Sequence, residues 1–214
     1  MSVTAKICGL STPETVQAAL AGGATHLGFL FFDKSPRNID PETAARLTPP
    51  ARARNAKIVA VTVDPDDAFL ERLVETLRPD FIQLHGKETP ARARQVALRT
   101  GAGVIKVLSV AGPHDIDAAR AYETVVDHLM FDAKPPSDHP LPGGAGARFD
   151  WTLLSGRRFE RPWFLAGGLD PWNVSEAVRL SGAPMVDVSS GVERGPGLKD
   201  PALITAFLDA VRRA

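Results

Sequence analysis

The sequence predicts a single (β/α)8 TIM barrel, an α/β fold in which eight parallel strands close into a ring surrounded by helices. Short runs rich in β-branched and aromatic residues alternate with amphipathic stretches, as is typical of a parallel sheet covered by helices. No composition break or hinge-like linker divides the 214 residues, and the 18 glycines and 18 prolines are spread between the runs. We therefore expect one barrel domain over residues 1–214, closed so that no sheet edge is exposed.

Eight apolar runs have the length of a buried strand. They are residues 3–8, 26–32, 57–63, 80–84, 104–110, 128–132, 162–166 and 185–189. The stretches between them predict helices, several of which open with a Ser, Thr or Asp cap followed closely by Pro. These are residues 12–21, 41–47, 66–77, 90–100, 115–122, 171–181 and 201–213. Residues 133–148 form a loop rich in Pro and Gly, so only residues 150–155 are left for a short or irregular helix.

A doubly wound open sheet of eight strands is the alternative fold. That fold usually carries a glycine-rich turn directly after its first strand. Here the corresponding turn is Cys8-Gly-Leu-Ser, which favours the barrel.

The charge balance points to a small-molecule partner. The chain has 25 Lys plus Arg and 25 Asp plus Glu, so it has no basic field to hold nucleic acid or an anionic membrane. No apolar run approaches the roughly 18 residues of a membrane span, and the first residues do not resemble a secretory signal. A single cysteine excludes an intrachain disulfide. We expect a soluble, cytoplasmic protein.

Reactive groups in such a barrel lie at the carboxyl ends of the strands and in the loops that follow them. This rule selects few polar side chains. They are Cys8 after the first strand, Lys34 and Arg37 after the second, Gln83 and His85 after the fourth, Asp132 after the sixth and Asp187 after the eighth.

Small residues follow the last two strands, as Gly167-Gly168 and as Ser189-Ser190-Gly191. Such loops present backbone N–H groups to an anion, and a helix start at Asp170-Pro171 adds to them. Tight turns that need a positive φ are the alternative explanation. Their place after the seventh and eighth strands of a barrel favours a phosphate site.

Cys8 and Asp132 form a candidate pair of base and acid. Lys6 points to the same face as Cys8, so its ammonium is expected to favour the thiolate, although a lone strand cysteine is often an inert buried residue. Asp132 ends an apolar strand, where partial desolvation suits a general acid, whereas an ion pair with Lys134 would make it structural. A base and an acid that flank one substrate are an isomerase arrangement.

Arg37 lies in the loop after the second strand, and its planar guanidinium suits a carboxylate. A solvated loop arginine is the alternative.

Seven segments together resemble the phosphoribosylanthranilate isomerase family. They are Lys6-Ile-Cys8-Gly-Leu, residues 28–37, Ile82-Gln-Leu-His85-Gly86, Phe131-Asp132, residues 143–151, Leu165-Ala-Gly-Gly-Leu169 and Asp187-Val-Ser-Ser-Gly-Val-Glu193. They occur in the family's order, each at the expected strand end, over nearly the whole chain.

The resemblance implies an Amadori rearrangement of N-(5-phosphoribosyl)anthranilate that needs no cofactor and no metal, with Asp132 as general acid and Cys8 as general base. It also implies roles in substrate binding. Arg37 would bind the anthranilate carboxylate, Gln83 and His85 would line the pocket, Asp187 would contact a substrate hydroxyl or form the pocket wall, and Gly167, Gly168, Ser189, Ser190 and Gly191 would bind the phosphate. The loop of residues 135–149 resembles a mobile cover, and the protein is expected to be a monomer or a homodimer.

Two other functions compete with this one. A histidine-pathway or dual-specificity sugar isomerase performs the same rearrangement, but such enzymes use an aspartate where Cys8 stands. A catalytically silent barrel that binds a phosphorylated ligand is the third hypothesis. The presence of both Cys8 and Asp132 disfavours it.

Overall fold

Eight parallel strands close into a barrel in the computed structural model, which describes residues 3–135, 143 and 146–214. The strands are β1 (Thr4–Cys8), β2 (His26–Phe31), β3 (Lys57–Thr62), β4 (Phe81–Leu84), β5 (Gly103–Val110), β6 (His128–Ala133), β7 (Trp163–Leu165) and β8 (Met185–Val188). Each strand pairs with its neighbour in sequence, and β8 pairs with β1. The predicted barrel is confirmed.

Eight α-helices lie among the described residues. They are α1 (Pro13–Ala21), α2 (Pro41–Leu47), α3 (Pro49–Ala53), α4 (Asp67–Leu77), α5 (Pro90–Thr100), α6 (Pro113–Asp117), α7 (Val174–Ser181) and α8 (Pro201–Arg212). Side chains of Thr12, Asp40, Asp66, Thr89 and Asp200 accept N–H groups of the first turns, as the cap residues predict. None of these helices is long and apolar enough to cross a membrane.

Two helical segments differ from the prediction, and a third agrees with it. The helix expected from residue 115 begins at Pro113 and continues as a 3-10 helix over Ala118–Ala121. The helix expected from residue 171 begins at Val174, because Asp170 accepts the N–H groups of Trp172 and Asn173 and holds a turn there. The short segment after the long loop is a 3-10 helix, Trp151–Leu154, as expected.

The sequence analysis did not predict α3 or a small antiparallel hairpin after β8. This hairpin consists of β9 (Glu193–Gly195) and β10 (Leu198–Lys199), and it follows a 3-10 helix, Ser190–Val192.

Side chains alternate along each strand between the helices outside and the barrel interior. The interior holds one apolar cluster of Cys8, Val59, Val61, Ile105, Val107, Met130, Phe164 and Ala166. Lys6 is fully buried, and its Nζ donates to Oδ1 of Asp187 at 2.8 Å. A Cβ at Gly28 would lie 3.0 Å from this Nζ, so a glycine gives the lysine its space. The ion pair of Lys6 and Asp187 therefore lies inside the barrel, and Lys6 precedes Cys8 by two residues on β1.

Candidate active site

A cavity of about 810 Å³, its open mouth included, lies at the carboxyl end of the barrel. It brings together nearly all the site residues that the sequence analysis selected. These are Cys8, Arg37, Gln83, His85, Asp132, Gly167, Gly168, Asp187, Ser189 and Ser190. Gly191 lines an adjoining pocket, which shares Gly168 and Ser190 with the first. Lys34 is exposed and lines neither pocket.

Cys8 is the last residue of β1 and is 7% exposed. Burial raises the pKa of its thiol above the ordinary value, although the ammonium groups of Lys6 and Lys199 act in the opposite direction. The effect of Lys6 has the expected direction, toward the thiolate, but the pKa of the thiol is raised overall. Desolvation exceeds the effect of this ammonium, which is also paired with Asp187.

Asp132 is 9% exposed, so the expected partial desolvation is confirmed. Its Oδ2 lies 3.3 Å from Nε2 of His85, which forms no hydrogen bond to a described residue. Lys134 is exposed and forms no ion pair with any described residue. The carboxyl group therefore faces the cavity beside an imidazole, and the structural alternative of a Lys134 ion pair is not observed.

Two further polar side chains, Gln83 and Asp187, line the cavity. Gln83 is 1% exposed, and its Oε1 accepts no hydrogen bond from the described residues. An acceptor that is buried without a partner is costly, which makes it a candidate contact for a ligand N–H or O–H group. Asp187 accepts from Lys6 through one carboxylate oxygen and also borders the cavity.

The loops after β7 and β8 meet at one side of the cavity. Gly167 and Gly168 both have positive φ angles, +87° and +63°. A Cβ at Gly191 would lie 1.9 Å from the carbonyl oxygen of Leu169, so only a glycine lets the two loops approach. No described residue accepts the N–H groups of Ser190 and Gly191, at the start of the 3-10 helix. These amides can therefore bind an anion.

Arg148 borders the adjoining pocket and was not predicted as a site residue. Its Nε donates to the carbonyl oxygen of Gly168 at 3.1 Å, and its Nη2 donates to Asp170 at 2.8 Å. The arginine thereby ties the end of the loop after β6 to the loop after β7. Of the expected cover, residues 135–149, positions 136–142, 144 and 145 lie outside the described residues, whereas Gly143, Gly146 and Ala147 line the cavity.

Arg37 is buried and lines the cavity, so it is not a solvated loop arginine. Its Nε and Nη2 donate to the two carboxylate oxygens of Glu193 at 2.7 and 2.8 Å. Sequence reasoning gave Glu193 no role, because it lies 156 positions from Arg37 in a hairpin that the pattern did not predict.

No group of three or more His, Cys, Asp or Glu side chains in the described ranges is placed to hold a metal ion. Cys8 and Asp132 are titratable groups that both line the cavity, an arrangement suited to acid–base chemistry.

The family model for N-(5'-phosphoribosyl)anthranilate isomerase matches residues 5–210. The chain is 69% identical to the enzyme of that name from Caulobacter vibrioides, over 98% of this chain and 96% of the relative. A crystal structure of monomers generated from the dimeric Thermotoga maritima enzyme aligns with a TM-score of 0.83 and 31% identity, over 99% of this chain and 100% of that one. A phosphoribosylanthranilate isomerase complex with reduced 1-(o-carboxyphenylamino)-1-deoxyribulose 5-phosphate aligns with the same score, identity and coverage.

Proposed function

Because this chain belongs to the N-(5'-phosphoribosyl)anthranilate isomerase family and is such an isomerase of tryptophan biosynthesis, we propose that Cys8 and Asp132 catalyse its Amadori rearrangement. The observation that carries this assignment is their position on one cavity, approached from β1 and from β6. Each lies at the carboxyl end of its strand, where barrel enzymes place reactive groups.

Asp132 acts first, as the general acid. It donates its proton to the furanose ring oxygen while the bond from that oxygen to C1′ breaks. The lone pair of the anthranilate nitrogen forms the C1′=N bond, which gives an open-chain protonated Schiff base. Asp132 is 9% exposed and lies beside His85, so bulk water has little access to its carboxyl group.

Cys8 acts second, as the general base. Its thiolate removes the proton from C2′, which the neighbouring iminium group has acidified. The C–H electron pair forms a C1′=C2′ bond, and the iminium electrons return to nitrogen. The resulting enolamine gains a proton at C1′ and loses one from the C2′ hydroxyl, which yields the ketone. Cys8 has gained one proton and Asp132 has lost one, so exchange with solvent restores both groups.

The remaining residues bind the substrate. Arg37 binds the anthranilate carboxylate, since a guanidinium fork matches a carboxylate. Gln83 and His85 line the pocket, and Asp187 contacts a sugar hydroxyl. The phosphate lies on the amides of Gly167, Gly168, Ser189, Ser190 and Gly191, an assignment supported by the two unpaired N–H groups described above.

We expect the purified protein to convert phosphoribosylanthranilate, generated in place from anthranilate and phosphoribosyl pyrophosphate. The substrate fluoresces like anthranilate, and its protein-dependent fluorescence decay measures the reaction. If the substrate remained intact in the presence of the protein, the assignment would fail, and the histidine-pathway substrate would be assayed next. A histidine-pathway isomerase is expected to have an aspartate at position 8, where this chain has Cys8.

Replacement of Gly191 by alanine is expected to weaken phosphate binding about 10- to 100-fold, the size of one or two hydrogen bonds to a charged group. The new Cβ would meet the carbonyl oxygen of Leu169 and force the loops after β7 and β8 apart. Calorimetric titration with reduced 1-(o-carboxyphenylamino)-1-deoxyribulose 5-phosphate, called the reduced product from here on, measures the loss of affinity. KM is expected to rise more than kcat falls.

Gly112→Ala is the matched control for this variant. A Cβ at Gly112 meets nothing within 4 Å, and its φ of −158° suits any residue. Equal affinity of the Gly191→Ala and wild-type proteins would show that the phosphate binds elsewhere.

The chain is expected to be either a monomer or a homodimer. The Thermotoga maritima relative is dimeric, and monomers have been generated from it, which supports a barrel that folds in either state. Sedimentation velocity measures which one this chain adopts.

A further inference from the structure

Three charged side chains form a buried chain behind the cavity, and two of them have no role in the reaction above. The side chains of Arg37, Glu193 and Lys199 are 8%, 4% and 1% exposed. Oε1 of Glu193 accepts from Nε of Arg37 at 2.7 Å and from Nζ of Lys199 at 2.5 Å, while Oε2 accepts from Nη2 of Arg37 at 2.8 Å. These three linked side chains are called the carboxylate brace.

The brace is anchored at both ends. Nζ of Lys199 also donates to the carbonyl oxygen of Ser189 at 2.9 Å and to its hydroxyl at 3.2 Å. The N–H of Gly197 donates to Oε2 of Glu193 at 3.2 Å. Lys199 and Glu193 belong to the hairpin β9–β10, which is therefore fixed to the loop after β8. The hairpin thus carries Glu193, the residue that accepts two hydrogen bonds from Arg37.

The geometry of the guanidinium decides which donors remain for a ligand. Arginine has five N–H donors in a rigid plane. Glu193 takes two of them along the edge formed by Nε and Nη2. Nη1 donates to no described residue, so three donors remain, two of them on Nη1 and one on Nη2. Those two nitrogens form a second edge, which can bind a second carboxylate with two parallel hydrogen bonds.

The charges of the brace fit one ligand carboxylate. Hydrogen bonds from Arg37 and Lys199 outweigh the effect of burial and hold the pKa of Glu193 below its ordinary value, so the group is a carboxylate. Two cations and one anion leave a net charge of +1. A buried arginine alone would carry the same charge, but its long side chain would have more than one orientation.

We propose that Glu193 is a positioning residue that fixes the Nη1–Nη2 edge of Arg37 toward the cavity and thereby selects substrates whose aromatic amine bears a carboxylate. The proposal rests on the assignment of Arg37 to that carboxylate under the proposed function. Lys199 holds Glu193 in turn. The hairpin β9–β10 is thus a specificity element for the anthranilate end of the substrate.

The test compares two inhibitors by calorimetry. One is the reduced product, and the other is the same compound built on aniline, which lacks only the carboxylate. The wild-type protein should bind the first about 10- to 100-fold more tightly, as expected for charge-assisted hydrogen bonds. In Glu193→Gln this preference should fall at least several-fold, while the affinity for the aniline compound stays within about twofold.

The charge change alone predicts the opposite result, which makes the test sharp. Glu193→Gln raises the net charge of the brace from +1 to +2, so without a positioning role the preference for the carboxylate would increase. An increased or unchanged preference in Glu193→Gln therefore overturns the proposal. An equal loss of affinity for both compounds also overturns it, because that loss would report general damage to the site.

Three further variants make the result interpretable. Glu176→Gln removes an exposed carboxylate on α7 and should change neither affinity. Glu193→Asp keeps the charge but shortens the reach to Arg37, so a loss of preference there supports positioning even if the glutamine variant folds poorly. Arg37→Met removes the cation and should abolish the preference. If Arg37→Met retains it, the carboxylate assignment itself fails, whereas a loss in Arg37→Met with retention in both Glu193 variants overturns the brace alone.

Discussion

Replacement of Asp132 by asparagine is expected to lower kcat/KM about 10²- to 10⁴-fold, the range for loss of a positioned proton donor. The amide has the shape of the carboxyl group but cannot give a proton to the furanose ring oxygen. The affinity for the reduced product should change little, because Asp132 acts on the transition state and the pocket keeps its shape. Fluorescence decay gives the rate, and calorimetry gives the affinity.

Asp209→Asn is the control for this variant. Asp209 lies on α8, outside the barrel, where it pairs with Arg212 at the surface. Its replacement should leave both rate and affinity unchanged. A rate in Asp132→Asn within a few-fold of the wild-type rate would exclude Asp132 as the acid and direct attention to His85, the nearest other titratable group on the cavity.

The fold was predictable because its signals are local. An apolar run of five to seven residues predicts a buried strand, and a capped amphipathic stretch predicts a helix, without knowledge of distant parts of the chain. The start of α7 was missed because the side chains of Asp170 and Asn173 compete for the amides that would open a helix there. The hairpin β9–β10 has strands of three and two residues, too short to leave a periodic signal.

The site was predictable to the extent that a barrel collects the ends of its strands in one place. Cys8 and Asp132 could be selected from their positions in the sequence because closure of the ring brings both to one cavity. The partners of these groups could not be selected in this way. Asp187 pairs with Lys6 across 181 positions, and Glu193 pairs with Arg37 across 156. Register and loop packing determine such pairs, and the amino-acid pattern does not contain them.

The same limit applies to the pKa of Cys8. A lysine two positions away in a strand is a visible signal, whereas the depth of burial and the pairing of that lysine with Asp187 are properties of the closed barrel. Burial dominates the pKa of the thiol. The proposed mechanism supplies the missing stabilisation, since a protonated Schiff base beside Cys8 favours the thiolate by its positive charge.

Replacement of Cys8 by serine is expected to lower kcat/KM about 10²- to 10⁴-fold as well. The hydroxyl is close to the thiol in size, but its far higher pKa leaves almost no anion to remove the C2′ proton. The affinity for the reduced product should again be retained. A Cys8→Ser rate close to that of the wild-type protein would mean that another group is the base.

The residual rate of Asp132→Asn should depend on pH in the direction that the thiol dictates. In the wild-type protein the acid must be protonated while the base is deprotonated, so the two groups act on the profile in opposite directions, whereas the variant has no carboxyl group at this position. Because kcat/KM reports the free enzyme, and because burial raises the pKa of Cys8 there, kcat/KM of Asp132→Asn should rise with pH through neutrality and level off only above the ordinary thiol pKa. The sign follows from the base role, since only the deprotonated thiol accepts a proton. Cys8 is the one cysteine of the chain, so the thiolate absorbance of Asp132→Asn minus that of the double variant with Cys8→Ser gives its titration directly. The kinetic and spectroscopic midpoints should coincide, and a rate that is constant across the spectroscopic titration would exclude Cys8 as the base.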